Sequence, residues 1–93
     1  MFFDIIDARY EGDYRIRLFF RNGKSGTVDL KDYICADELY SDIRNPAEFS
    51  KFTIEFGTIT WKNGEIDIAP EILYEKSIGE AIELGSDKTY RAV

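Results

Sequence analysis

Residues Thr58 to Tyr74, TITWKNGEIDIAPEILY, constrain the path of this chain more than any other stretch. In Thr58-Ile59-Thr60-Trp61 the apolar side chains Ile59 and Trp61 fall on one face and the two threonines on the other, the period-two pattern of a half-buried strand. Asn63-Gly64 follows directly. Both central positions of a type I′ turn need positive φ, which Asn tolerates and Gly adopts freely, so this dipeptide predicts a tight hairpin. The return run Glu65-Ile66-Asp67-Ile68 alternates again, with Ile66 and Ile68 inward. Pro70 then suits the first position of a helix, because its φ is already helical and the N–H it lacks has no partner there. Glu71 adds an acid at the positive end of the helix dipole. The stretch reads as a hairpin feeding a helix that turns Leu73, Tyr74 and Ile78 toward the sheet and stops near Gly79.

Upstream, Phe2 to Tyr10 forms a first strand rich in Phe and Ile, closed by Glu11-Gly12-Asp13. Tyr14 to Phe20 alternates cleanly, with Tyr14, Ile16, Leu18 and Phe20 on one face and Arg15, Arg17 and Phe19 on the other. Arg21-Asn22-Gly23-Lys24 turns the chain, and Ser25 to Leu30 returns it with Val28 and Leu30 inward. From Lys31 to Phe52 helical spacing replaces alternation. Tyr33-Ile34 fits a short turn, and Leu39, Tyr40 and Ile43 can share one face. Asn45 is placed as an N-cap, with Pro46 at the first helical position, Glu48 in a capping-box place, and Phe49 and Phe52 inward. Thr53 to Phe56 alternates again until Gly57 breaks the run.

These elements predict a single α+β domain over residues 1–79. Its expected architecture is an antiparallel sheet of about five strands, an N-terminal three-stranded meander plus the hairpin, with two or three short helices on one face. Residues 80–93 are a C-terminal tail whose apolar run Ala81-Ile82-Glu83-Leu84 fits a strand or a helix. At 93 residues the core is thin, since a domain this size buries only about 60–65% of its unfolded surface, and the seven Phe, six Tyr and one Trp must fill it.

Charge and cysteine usage narrow the function classes. A formal charge of −6 repels phosphate backbones, so direct nucleic-acid binding by this domain alone is not expected. Cys35 is the only cysteine, which excludes an internal disulfide and suits a reducing cytoplasm. The N-terminal run MFFDIIDARYEGD has neither a basic leader nor a long apolar segment, so the expected compartment is the cytoplasm, without membrane attachment.

Spacing also carries a resemblance. Trp61-x-Asn63-Gly64, then Asp67-Ile68-Ala69-Pro70-Glu71 and Leu73-Tyr74, resembles the closing signature of a small bacterial family, domain of unknown function 2442. Phe20-x-Asn22-Gly23, Val28-Asp29-Leu30, and Leu39-Tyr40 followed by Asn45-Pro46 and Phe49 are similar to its earlier features, so the resemblance runs roughly from Phe3 to Tyr74. In the family pattern the Asn-Gly reaches the Asp after one residue; here Glu65 and Ile66 intervene, so the register of this turn does not carry over. Membership implies a fold and no established activity. It also implies a setting: small stand-alone proteins, or domains joined to a helix-turn-helix module, encoded beside other small uncharacterised proteins as in toxin–antitoxin pairs. Any regulation of DNA by this chain would then need a partner.

Three groups of residues bear on chemistry. Trp61, Asp67, Glu71 and Tyr74 could line a pocket in which paired carboxylates do acid–base work, which would make the domain a small enzyme or ligand-binding module. The structural reading is preferred: Trp61 and Tyr74 as core, Asp67 accepting backbone N–H groups near the helix start, Glu71 answering the dipole. On that reading the signature residues Trp61, Asn63, Gly64, Asp67, Pro70, Glu71, Leu73 and Tyr74 shape a scaffold. Asp29, Asp32, Asp37, Glu38 and Asp42 are acidic enough for a hard cation, but their spacing matches no calcium loop and reads as a solvated face. Cys35 has no histidine to activate it and reads as a small buried residue. No metal or cofactor is expected. Finally, Arg15, Arg17 and Arg21 with Phe19 make a basic row with a stacking platform, either the wet side of an amphipathic sheet, which is preferred, or a contact surface for an acidic partner or a phosphate, nucleic acid being the third function class. Phe19 requires a cover on that face. The function expected is a non-enzymatic accessory or protein-interaction domain, with a protein partner or a homo-oligomer.

Overall fold

The computed structural model describes residues 3–79. The tail expected over residues 80–93, like Phe2, lies outside the described residues. Strands β1 (Ile5–Gly12), β2 (Arg15–Phe20) and β3 (Ser25–Asp29) form the expected antiparallel meander in the order β1-β2-β3. Ile16, Leu18 and Phe20 are buried, as the alternation of β2 requires. Tyr14 departs from it. The β1–β2 turn passes through Gly12, Asp13 and Tyr14, all at positive φ, so Tyr14 belongs to the turn; its hydroxyl donates to the Arg44 carbonyl. The second turn follows the sequence reading closely: Gly23 has φ 91°, its N–H donates to Phe20 O at 2.9 Å, and Asn22 Oδ1 accepts from Lys24 N at 3.0 Å.

The middle of the chain is helical in short pieces: α1 (Lys31–Cys35), a 3₁₀ helix (Glu38–Ile43) and α2 (Pro46–Phe49). Asn45 caps α2 as expected, its Oδ1 accepting from Glu48 N at 2.9 Å. Leu39 corrects the sequence reading. It does not share the inward face with Tyr40 and Ile43 but is exposed, because three residues per turn stack Tyr40 on Ile43 and leave Leu39 a third of a turn away. Cys35 is a second correction: it is exposed, not buried, since one turn of α1 points Ile34 at the core and leaves its last residue outside.

The larger correction concerns the sheet. Strands β4 (Thr53–Glu55), β5 (Thr58–Trp61) and β6 (Ile66–Ile68) form a second three-stranded antiparallel sheet, in place of one sheet of about five strands. Among the described residues one main-chain bond, Ile5 N to Gly57 O at 2.8 Å, joins the start of β1 to the β4–β5 turn. The register of β1 against β2 shifts immediately after Ile5, an irregularity of the kind that interrupts a ladder.

Strand β5 lies in the middle of its sheet and all four of its residues are buried, so Thr58 and Thr60 are not on a wet face. Their hydroxyls are satisfied inside: Thr58 donates to Ile68 O, and the Thr60 and Thr53 hydroxyls share a bond of 2.9 Å.

Helix α3 (Pro70–Ile78) starts at Pro70, buries Leu73 and Tyr74, and ends at Gly79 in the left-handed conformation with φ 83°. It packs so closely on β3 that a Cβ on Gly26 would sit 2.5 Å from the carbonyl oxygen of Ser77. One core cluster draws buried side chains from every strand and helix except β4. Among the described residues, no helix is long and apolar enough to cross a membrane.

Candidate functional site

Turn chemistry decides where the signature residues sit. The loop from Trp61 to its partner Ile66 contains four residues, not two. Lys62, Asn63 and Gly64 all have positive φ, and two overlapping turns close on them: Gly64 N donates to Trp61 O and Glu65 N to Lys62 O, both at 3.1 Å. The two-residue Asn63-Gly64 hairpin is thus corrected to a longer loop. Its two extra residues, Lys62 and Glu65, are accommodated with Lys62 also in the left-handed conformation, at a cost of roughly 1 kcal/mol for a residue with a Cβ.

Trp61 and Tyr74 face different neighbours. The indole of Trp61 donates to Phe49 O at 2.8 Å and its ring packs on Phe49 with centroids 5.4 Å apart. Tyr74 packs edge-on to Phe20 at 4.9 Å and accepts from the Asn22 side-chain amide at 3.1 Å. Asp67 is exposed on β6 and Glu71 half-buried in the first turn of α3. A hollow of about 200 Å³ does open beside Trp61, but Ile43, Glu48, Lys51, Thr53, Lys62 and Asn63 line it with the indole, and Asp67, Glu71 and Tyr74 do not.

Within that hollow Glu48 is the electrostatic centre. Lys51 Nζ lies 3.2 Å from one of its carboxylate oxygens and Lys62 Nζ 3.3 Å from the other. Hydrogen bonds from Lys51 and Lys62 hold its carboxyl below the usual range. Nearby, burial pushes the Tyr40 phenol well above its ordinary value, aided by a bond with Tyr33 and by the charges of Asp37 and Asp67.

On the outer face of the meander, Phe19 is covered by its own chain. Arg17 on β2 and Arg9 on β1, which pair directly across the ladder, each place a guanidinium 5.6 Å from the ring centroid. Such contacts are worth about 0.5–1 kcal/mol each at exposed sites. Arg17 also donates to Ser25 Oγ at 3.1 Å, and Arg15 pairs opposite Asp29. Arg21 lies past the strand, 3.9 Å from Asp4. The expected row is therefore split, and Arg9 joins it through a cross-strand register that no local pattern could announce.

The acidic set is dispersed over local roles. Asp29 accepts from Lys31 N at 3.0 Å, Asp37 caps the 3₁₀ helix through Leu39 N at 2.9 Å, and Glu38 lies 3.5 Å from Arg44. Among the described residues, no group of three or more His, Cys, Asp or Glu side chains could hold a metal ion.

One residue stands out that sequence reasoning passed over. Phe56 and Gly57 form a two-residue turn between the paired Glu55 and Thr58, with φ of 55° and 76°. Phe56 is 95% exposed. Exposed Ile54 precedes it on β4, and exposed Ile6 follows the Ile5 that bonds to Gly57. The only sequence signal was Gly57, which read as a break and not as half of a turn.

A family model described as "Protein of unknown function (DUF2442)" matches residues 5–79. No curated protein and no solved structure matches the chain.

Proposed function

The chain belongs to the DUF2442 family, and from that starting point we propose that it is a non-enzymatic protein-interaction domain whose contact element is the β4–β5 tip. Phe56 carries this reading. A bulky aromatic in the left-handed region costs roughly 1–2 kcal/mol, and full exposure recovers none of it by burial. Backbone outliers of this kind persist where they serve a function, and large aromatics are the usual anchors of protein interfaces.

Its surroundings support the same reading. Among the described residues β4 is an edge strand whose ladder is with β5 alone, although the start of β1 lies against it; it gives no buried residue to the core and presents Ile54 outward. A strand edge with no ladder partner among the described residues, ending in an exposed aromatic, is a template for another chain. The Arg15, Arg17, Phe19 and Arg21 row is the lesser contact surface, because Phe19 is already sandwiched by Arg9 and Arg17. The catalytic alternative built on Trp61, Asp67, Glu71 and Tyr74 has less support, since the two rings sit in separate aromatic contacts.

The partner is another protein chain, a second copy or the product of an adjacent gene. Coexpression with that product tests the reading: wild-type protein co-purifies with it or self-associates, and Phe56→Asn abolishes the complex. A monomeric wild type that retains no neighbour counts against it.

A further inference from the structure

The chain divides at one strained turn. Ahead of it lie the meander, the short helices and strand β4; behind it lie β5, β6 and α3, within residues 58–78. The turn is Phe56-Gly57, both left-handed, and the Phe56 ring is too exposed for packing to offset the strain. Asn precedes the glycine in two other loops, Asn22-Gly23 and Asn63-Gly64, and Phe stands in that place here. Across the turn, residues 53–61 read TIEFGTITW, rich in Thr, Ile and aromatics and without the Pro, Asn or Asp that would demand a reversal.

The contacts that tie the two parts together do not depend on which copy supplies them. Thr53 pairs with Thr60, the Trp61 indole donates to Phe49 O, Tyr74 packs on Phe20, and α3 packs on β3. Each joins an element before the turn to one after it, so each forms equally well between two chains.

We propose that the Phe56-Gly57 turn is a hinge through which two copies of this chain exchange β5, β6 and α3. With the hinge open, β4 and β5 run on as one strand, Phe56 and Gly57 leave the left-handed region, and each copy completes the other's second sheet and core. Each hinge gives up the Ile5–Gly57 main-chain bond and releases the strain of one aromatic in a turn. The twofold axis relating the copies sets the two hinge strands side by side, where the Phe56 rings bury together. Short turns under strain are the usual hinges of such an exchange, because the fold's own contacts form again and few new ones are needed. The exchange rests on the β4–β5 tip being the element through which this chain associates, and it names a second copy as the partner.

Thr53 and Thr60 supply the test: their hydroxyls lie 2.9 Å apart across the β4–β5 ladder, so cysteines at this pair fall within disulfide range. Thr53→Cys and Thr60→Cys are combined with Cys35→Ser, which removes the one native thiol. The protein is refolded from urea under reduction at high concentration, and each eluting peak is then oxidised. The expected result is a dimer peak that becomes a covalent dimer on a non-reducing gel, beside a monomer peak whose disulfide closes within the chain. Adding Phe56→Asn is expected to abolish the dimer peak. The dimer of the unaltered chain, isolated in the same way, is expected to persist on dilution because its release requires unfolding, a second readout that does not depend on the cysteine variant folding. A dimer whose disulfide closes within one chain, or that dissociates as fast as it is diluted, overturns the exchange and leaves the tip standing as a contact element. A Phe56→Asn chain that dimerises as fully as its parent overturns the exchange. So does a chain that is monomeric at every concentration, and coexpression with the adjacent gene product then decides the contact reading on its own.

Discussion

The indole N–H of Trp61 donates to the main-chain carbonyl of Phe49 at 2.8 Å, tying the second sheet to α2 through a bond in which both partners are buried. Replacing the ring removes packing and leaves that carbonyl without its donor. Trp61→Leu is expected to cost about 3 kcal/mol, measured as a lower urea midpoint with an unchanged slope.

Gly26 admits α3 to within contact of β3. In Gly26→Ala the new methyl meets the Ser77 carbonyl, a main-chain atom that cannot rotate away, and the Ile78 side chain beyond it. The helix must shift, at an expected cost of about 1–3 kcal/mol in thermal or denaturant unfolding. The same substitution at Gly12, whose Cβ would meet nothing, strains only its backbone at φ 90°.

Acid and alkali act on different residues. Glu48 has its carboxyl held low by Lys51 and Lys62, so its contribution is present above the usual glutamate range and is lost as pH falls through the lowered value. Glu48→Gln should flatten the acid limb of the stability curve. Tyr40 has its phenol pushed up, chiefly by burial, so the folded state keeps a proton that the unfolded chain loses above about pH 10. Stability therefore falls as pH rises past that point, and Tyr40→Phe lifts the loss, both read from unfolding midpoints across a pH series.

Elements with local causes were legible in the sequence. Asn45 and Pro46 start α2, Pro70 and Gly79 bound α3, and Asn22-Gly23 turns the second hairpin, because each depends on one or two residues' own backbone preferences. What depends on distant partners was not. Alternation marks a strand without naming its neighbour, so the division into two sheets and the pairing of Arg9 with Arg17 were hidden. The burial of Thr58 and Thr60 follows from β5 being central, which alternation within β5 cannot reveal. Phe56 was hidden for the opposite reason: it occupies a turn position against its own preference, so propensity argues for a strand there.

That conflict separates stability from function at one residue. Asn is well suited to the left-handed position that Phe56 occupies, and Asn-Gly is the favoured pair for this turn. Phe56→Asn is expected to raise the stability of the isolated domain by about 0.5–1 kcal/mol. A loss of stability would mean that the ring makes contacts the fold needs.

Light scattering on the eluting peak, for wild type and Phe56→Asn each coexpressed with the adjacent gene product, tests the interaction reading most directly. The account predicts a wild-type mass well above the 10.8 kDa of one chain and a variant at that monomer mass. Two peaks of equal mass, whether both monomeric or both assembled, would contradict it.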